Sequence, residues 1–255
     1  MRYEFKYIVN NNYLEPLRQM ILPFVNMDEN TDDDKGRNHY TVRSIYFDNA
    51  SYDFYFEKVE GIKNRKKVRL RGYDEGAADD VVFLEIKRKY EIPILKYRAP
   101  VRFNDALEMF KEKHINGFAL NEFGISNSTE NATRFFYQLY SKNLRPVVLI
   151  VYEREAYLSK FDDTVRITFD KQLRGMAYPS LNDLYNEKEL TVAMKNNFIL
   201  EVKFNKHFPL WLSPILSKYS LKRCSASKYT ITMDTCRVVN KVTKSTIYTR
   251  SKWDH

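Results

Sequence analysis

The sequence predicts an α+β fold in which an antiparallel β-barrel forms a cationic tunnel with helices packed outside. The first observation behind it is alternation. In Lys67-Val68-Arg69-Leu70-Arg71 every second residue is a cation, and in Phe83-Leu84-Glu85-Ile86-Lys87-Arg88-Lys89 the residues Glu85, Lys87 and Lys89 share one phase. Successive strand side chains point to opposite faces, so each segment has a charged and an apolar side. The second observation is recurrence, in Glu4/Lys6, Lys96/Arg98, Arg166/Thr168/Asp170 and Glu201/Lys203. One such strand is an ordinary half-solvated strand. Several facing one another line a tunnel for a polyanion. The third is the cost of burial, on the order of several kcal/mol for each unpaired ion. That excludes a dry, packed barrel interior and leaves solvated outer faces or a wet tunnel.

The elements follow in order. Tyr3 to Val9 reads as a strand, with Tyr3, Phe5, Tyr7 and Val9 on one side and Glu4 and Lys6 on the other. Tyr13 to Phe24 has helical spacing around Leu14, Leu17, Ile21 and Leu22. Asp28 to Asn38 is an acidic, Asn-rich loop, Thr41 to Asp48 a second strand, and Ser51 to Glu60 a short helix stopped by Gly61. Strands follow at Lys66 to Tyr73, Val81 to Lys89 and Ile94 to Val101, the first two joined by the hairpin-like Asp74 to Asp80. Asn104 is placed to cap a helix over Asp105 to Lys113. Asn131 to Asn143 is a helix whose stripe of Phe135, Phe136, Leu139 and Tyr140 serves packing. Strands are expected at Pro146 to Glu155, Val165 to Asp170 and Phe198 to Phe204, then a helix at Pro209 to Tyr219 and a last strand at Lys228 to Met233. Without a repeat or a boundary signal, residues 1–255 read as one domain, with a core over 2–235 and an extension over 236–255.

Composition narrows the function. The chain is 44% hydrophobic, which suits a folded core rather than disorder. No apolar run reaches the length of a membrane span, and Met1 leads into strand-like sequence without a secretory signal, so a cytoplasmic protein is expected. Cys224 and Cys236 read as ordinary thiols. His39, His114, His207 and His255 lack paired spacing, so no His-based metal centre is expected. A net charge of +9 calls for an anionic partner: nucleic acid, an acidic membrane surface or a phosphorylated metabolite. Nucleic acid is disfavoured because the aromatics mostly alternate onto the face opposite the cations, whereas a single-strand groove exposes them for stacking.

The ordered motifs resemble the triphosphate tunnel metalloenzymes (CYTH-like), most closely their VTC-type polyphosphate polymerase branch. They are Arg2-Tyr3-Glu4-Phe5-Lys6-Tyr7, Ser44-Ile45-Tyr46-Phe47-Asp48-Asn49, Val68-Arg69-Leu70-Arg71-Gly72-Tyr73, Phe83 to Lys89, Tyr152-Glu153-Arg154, Val165 to Asp170, Ile199 to Lys203 and Ser227-Lys228-Tyr229. The resemblance implies a tunnel that holds a nucleoside triphosphate by its phosphates and transfers the terminal phosphoryl group of ATP to inorganic polyphosphate. By that resemblance Lys6, Arg69, Arg71, Lys87, Arg154, Arg166 and Lys203 act on the phosphates, joined by Lys96, Arg98 and Lys228. Glu201 is the implied ligand of Mn²⁺ or Mg²⁺, while Glu4 and Glu85 either orient cations or bind metal through water. Arg forks suit phosphate oxygens, and these metals take oxygen ligands.

Two features depart from the family pattern. Arg2 stands where hydrolytic relatives often carry a first glutamate, which favours the polymerase branch. The inositol-phosphate-sensing domain and membrane spans of eukaryotic members have no counterpart in the sequence, so a membrane partner stays undefined. A tripolyphosphatase or nucleoside triphosphatase using the same tunnel, and a non-enzymatic polyanion-binding module, are the alternative readings.

Overall fold

A computed structural model describes residues 2–29, 31, 38–74, 76, 80–90, 94–113, 118–120, 125 and 127–239. The extension after 239, most of the Asp28 to Asn38 loop and most of the Asp74 to Asp80 turn lie outside the described residues.

The strands are β1 (Arg2–Asn10), β2 (Val25–Met27), β3 (Tyr40–Asp48), β4 (Arg65–Tyr73), β5 (Val81–Lys89), β6 (Ile94–Arg102), β7 (Arg145–Ser159), β8 (Arg166–Ala177), β9 (Thr191–Val192) and β10 (Asn197–Asn205). The helices are α1 (Leu14–Ile21), α2 (Asp53–Val59), α3 (Phe103–Glu112), α4 (Ser128–Ser141), α5 (Leu212–Lys218) and α6 (Lys228–Thr235). All strand pairs are antiparallel, in the order β1-β10-β8-β7-β3-β4-β5-β6, with β2 added to β7 and β9 to β8.

The antiparallel sheet and its helices agree with the sequence, but the closed barrel does not. Among the described residues β1 and β6 end the sheet without pairing to each other. The outer edge of β1 is taken by another segment: Cys224 N–H donates to the Lys6 carbonyl at 2.8 Å in an isolated antiparallel bridge. A strand has only two edges, and β10 occupies the other. The sheet curls nevertheless. Lys87 of β5 reaches Glu4 of β1 at 3.5 Å, although the two strands lie far apart in the sheet order.

Two hydrophobic cores hold the helices. One packs α1 and α5 against the apolar face of β1, β8 and β10 through Leu17, Ile21, Val202, Leu212 and Ile215. The other packs α3 and α4 through Phe103, Met109, Phe135 and Phe136 against Ile45, Phe47, Leu70 and Leu84. These apolar residues alternate with the charged ones, so outer burial turns the charges inward. Helix α3 starts one residue before its expected cap, with Arg102 extended at the N-cap and no side-chain bond from Asn104.

The largest departure is α6. Lys228 to Met233 is a helix, not a strand. Its β-branched run is overridden by a cap, in which Ser227 accepts from the Thr230 N–H. Tertiary contacts secure it further: Tyr229 donates to buried Asp48 at 2.6 Å and stacks on Tyr46 at 4.9 Å. A Cβ on Gly175 of β8 would lie 2.3 Å from Thr232 Cγ2 and 2.4 Å from the Leu149 carbonyl oxygen. Helix α6 therefore lies inside the curl, against the same sheet face that carries Tyr46.

Gly175→Ala should destabilise the fold by about 1–3 kcal/mol, because the Leu149 backbone has no room to retreat. A urea unfolding curve of the variant checks this; an unchanged midpoint would contradict so close a seat for α6.

Candidate functional site

The curl brings the charged phases of β1, β4, β5, β6, β7, β8 and β10 onto one interior, organised around two carboxylate centres.

At the first, Glu85 is only 1% exposed. Arg69 donates to its Oε2 through Nε at 2.7 Å, while Lys96 Nζ and Arg98 Nε lie 2.9 and 3.1 Å from Oε1. Arg71 is 3.9 Å away and donates instead to Ser44 Oγ at 3.2 Å; Arg69 also donates to Tyr46 Oη at 2.7 Å. Burial alone would raise the Glu85 pKa, but Arg69, Arg71, Lys96 and Arg98 outweigh it and hold the carboxyl well below the usual range.

At the second centre, Glu201 receives Lys6 at 3.0 Å, Lys228 at 2.8 Å, and Lys203 and Arg154 at 3.6 Å. Beside it Asp170 accepts a bidentate pair from Arg154, Nε to Oδ1 at 2.6 Å and Nη2 to Oδ2 at 2.8 Å, and pairs with Lys228. Glu4 shares Lys6 with Glu201, at 3.0 Å. Burial opposes ionisation of Glu201, but Lys228 and Lys6 prevail and keep its carboxyl well below the usual range.

Of the residues singled out in the sequence, Lys6, Arg69, Arg71, Lys87, Lys96, Arg98, Arg154, Lys203, Lys228, Glu4, Glu85 and Glu201 converge on these two centres. Arg166 is set apart: it pairs with Asp28 at 2.9 Å and donates to Tyr40 Oη at 3.3 Å. Lys228 arrives on a helix terminus rather than a strand.

Asp170 was not among the candidates, although its spacing from Arg166 and Thr168 already put it in phase. Lys67, also in phase with Arg69, meets no carboxylate among the described residues and donates to Ser227 Oγ at 3.0 Å. The hydroxyl of Thr168, paired across the sheet with Glu201, is buried without a hydrogen-bond partner. Ser227 had no signal of its own, because only the α6 cap brings it here.

The family model described as the VTC domain matches residues 1–237. Vacuolar transporter chaperone complex subunit 4 of Schizosaccharomyces pombe is 26% identical over 192 residues, covering 68% of this chain and 26% of that protein. The subunit of the same name from Trypanosoma brucei brucei is 23% identical over 221 residues, covering 74% and 27%. The chain thus spans about a quarter of the length of these relatives. A solved structure from Hippeastrum, described as an adenylyl cyclase with a dominant triphosphatase activity, superposes with a TM-score of 0.50 at 12% identity, covering 92% of this chain and 96% of that one. That likeness concerns the fold. No helix among the described residues is long and apolar enough to cross a membrane.

The cations without full compensation show in their acidity. Burial, followed by Lys6, Lys87 and Arg69, holds Lys67 well below its ordinary value. Lys203 is lowered to about 8, by burial first and by Arg154 after the opposing pull of Glu201. An anion such as tripolyphosphate placed against Lys203 would raise it again, so at pH 9 its binding would take up a proton there, and its affinity would weaken as pH rises through 8. Calorimetry at pH 9 in two buffers of different ionisation enthalpy should register this uptake, and Lys203→Arg should reduce it by about one proton. Equal uptake in both proteins would place the titration elsewhere.

Proposed function

Because the chain belongs to the VTC domain family, we propose that it is an ATP- and divalent-metal-dependent polyphosphate polymerase domain, transferring the terminal phosphoryl group of ATP to a growing polyphosphate chain. The observation that carries this reading is the surplus of inward cations over the carboxylates Glu4, Glu85, Asp170 and Glu201, with Lys67 wholly uncompensated. Such an interior has its charge balanced only when a polyanion enters it.

Glu4 and Glu201 suit Mn²⁺ or Mg²⁺. Both converge on one ammonium group, so their oxygens face a common point where a cation is already accepted. Among the described residues no three His, Cys, Asp or Glu side chains gather as a metal centre, so the remaining ligands would be phosphate oxygens and water, as these ions commonly allow. Glu85 does not suit the metal, because among the described residues none of the four cations around it is shared with a second carboxylate. Its role is to position Arg69 and Arg98. The ion would neutralise charge on the transferring phosphoryl group.

The protein's own part is positioning and charge neutralisation, the main requirements of phosphoryl transfer. Arg69, Arg71 and Arg154 are fixed forks for phosphate oxygens, while Lys6, Lys87, Lys203 and Lys228 are movable point charges. Glu4, Asp170 and Glu201 are each engaged by cations and held below the usual carboxylate range, which makes them weak bases toward water. This supports transfer over hydrolysis.

Incubation with ATP and Mn²⁺ should yield ADP with matching polyphosphate. Stoichiometric free phosphate would make the protein a hydrolase, and tight binding without turnover a binding module. Arg69→Glu should abolish triphosphate binding, replacing an attraction of about 4 kcal/mol at close range with comparable repulsion. Lys113→Glu, at the exposed end of α3, should bind as the wild type does. Equal losses would mean diffuse attraction rather than a site.

Glu201→Gln keeps the side-chain shape and removes the charge. Titration with a non-hydrolysable ATP analogue should show binding retained or tightened, while turnover falls by orders of magnitude. Retained turnover would remove Glu201 from the metal site, and loss of binding would make it structural.

A further inference from the structure

Arg166 is in phase with the interior, yet it joins neither carboxylate centre. It opens β8 on the same face as Thr168 and Asp170 and lies opposite Lys203 of β10, so its backbone stands beside the second centre. Its guanidinium is drawn elsewhere. Nη2 lies 2.9 Å from Asp28 Oδ2 and donates to Tyr40 Oη at 3.3 Å. Nε is buried without a hydrogen-bond partner among the described residues.

Asp28 is built into its place. Strand β3 pairs with β7 as far as Arg154, and β2 takes over the same edge at Tyr157. Asp28 follows β2 at the point where β7 changes partner. Its N–H donates to the Ala156 carbonyl at 2.9 Å, and its own carbonyl accepts from the N–H of buried Thr31 at 2.7 Å. Met27 packs with Tyr157 on the outer core, so the next residue turns inward. The Asp28 carboxylate is thereby buried, at 6% exposure, against a cation of the interior.

Two arginines of this region are held differently. Arg154 grips Asp170 with two nitrogens, at 2.6 and 2.8 Å. Arg166 meets Asp28 through Nη2 with Nε unused, and its side chain is 28% exposed. Bidentate forks are the stronger arrangement, so the Asp28 contact is the more readily exchanged of the two. A phosphate group has oxygens enough to engage Nε and Nη2 together.

We infer that Asp28 is an internal competitor of the polyanion: it holds Arg166 in place of a phosphate, and a phosphate group has to displace it to reach that guanidinium. The inference rests on the polyphosphate reading of the interior and adds to it a residue that sets affinity. Asp28 acts through Arg166 and is a positioning residue. Once displaced, its carboxylate stays buried beside the bound polyanion, so the exchange weakens binding.

The test is a double-mutant cycle in the full chain, read as tripolyphosphate affinity by calorimetry. Asp28→Asn keeps the shape and removes the competing charge. Affinity should rise by roughly tenfold at low salt, and the gain should shrink as salt screens it. Asp28→Asn/Arg166→Gln should bind within about twofold of the wild type, because the internal pair is removed whole. Glu130→Gln, the same change in net charge at an exposed position of α4, should leave affinity unchanged. A merely structural Asp28 would lower the melting temperature without tighter binding, and that result overturns the inference. An equal gain at Glu130 overturns it too, since net charge alone would then be responsible. So does a loss of affinity in the double variant, because Arg166 would then contact phosphate in spite of Asp28. Should the double variant not fold, Asp28→Asn and Glu130→Gln decide. If Arg69→Glu leaves tripolyphosphate bound, the interior reading fails; if it abolishes binding while Asp28→Asn changes nothing, only the role of Asp28 fails.

Discussion

Glu85 stands among Arg69, Arg71, Lys96 and Arg98, almost fully buried, and Glu201 with Asp170 does the same for Lys6, Arg154, Lys203 and Lys228. A curled sheet lined with this many cations would be driven open by repulsion without these shared counter-charges. With too many of them it would have no use for a ligand. The two centres are therefore both structural and functional, since each carboxylate fixes several cations in place while leaving a net positive interior. Removing one partner of such a buried pair costs on the order of 3–5 kcal/mol, because the remaining charge is stranded.

Helix α6 depends on the same compensation. Its first residue, Lys228, bridges Asp170 and Glu201, while its cap, Ser227, receives Lys67. Asp48 anchors it: it accepts from Tyr229 and from the backbone N–H groups of Asn49, Phe54 and Tyr55, tying α6 to the start of α2. At the other end Tyr55 donates to Asp234 at 2.5 Å. A helix latched at both ends in this way holds its charged N-terminal residue in one place against Asp170 and Glu201.

The open sheet bears on function as well. With the edge of β1 engaged by Cys224 rather than by β6, the interior is not sealed by a continuous hydrogen-bonded wall. The like-charged pairs Lys67/Lys87 and Arg65/Lys89 of β4 and β5 lie beyond Glu85, with Glu4 of β1 reaching Lys87. Around Glu85 four cations share one carboxylate, whereas Arg65 and Lys89 meet none among the described residues, so positive charge accumulates toward that end of the interior.

The sequence alone determined the eight long strands and which of their faces carry charge, because a period of two is a local property, but not the short β2 and β9. Lys6, Arg69, Glu85 and Glu201 could be named from phase, as could Asp170 and Lys67, whereas Arg154 was named only by the family resemblance. Tertiary structure decided how those faces meet. Lys87 finds Glu4 only because the sheet curls, and the outer edge of β1 meets Cys224 rather than β6. It also decided α6, where Tyr229 and the β-branched run Thr230-Ile231-Thr232 favour a strand. The Ser227 cap, the bond from the Tyr229 hydroxyl to Asp48 and the space above Gly175 make it a helix instead. Local propensity is worth tenths of a kcal/mol per residue, and burial of Tyr229 and Met233 together with these hydrogen bonds outweighs it.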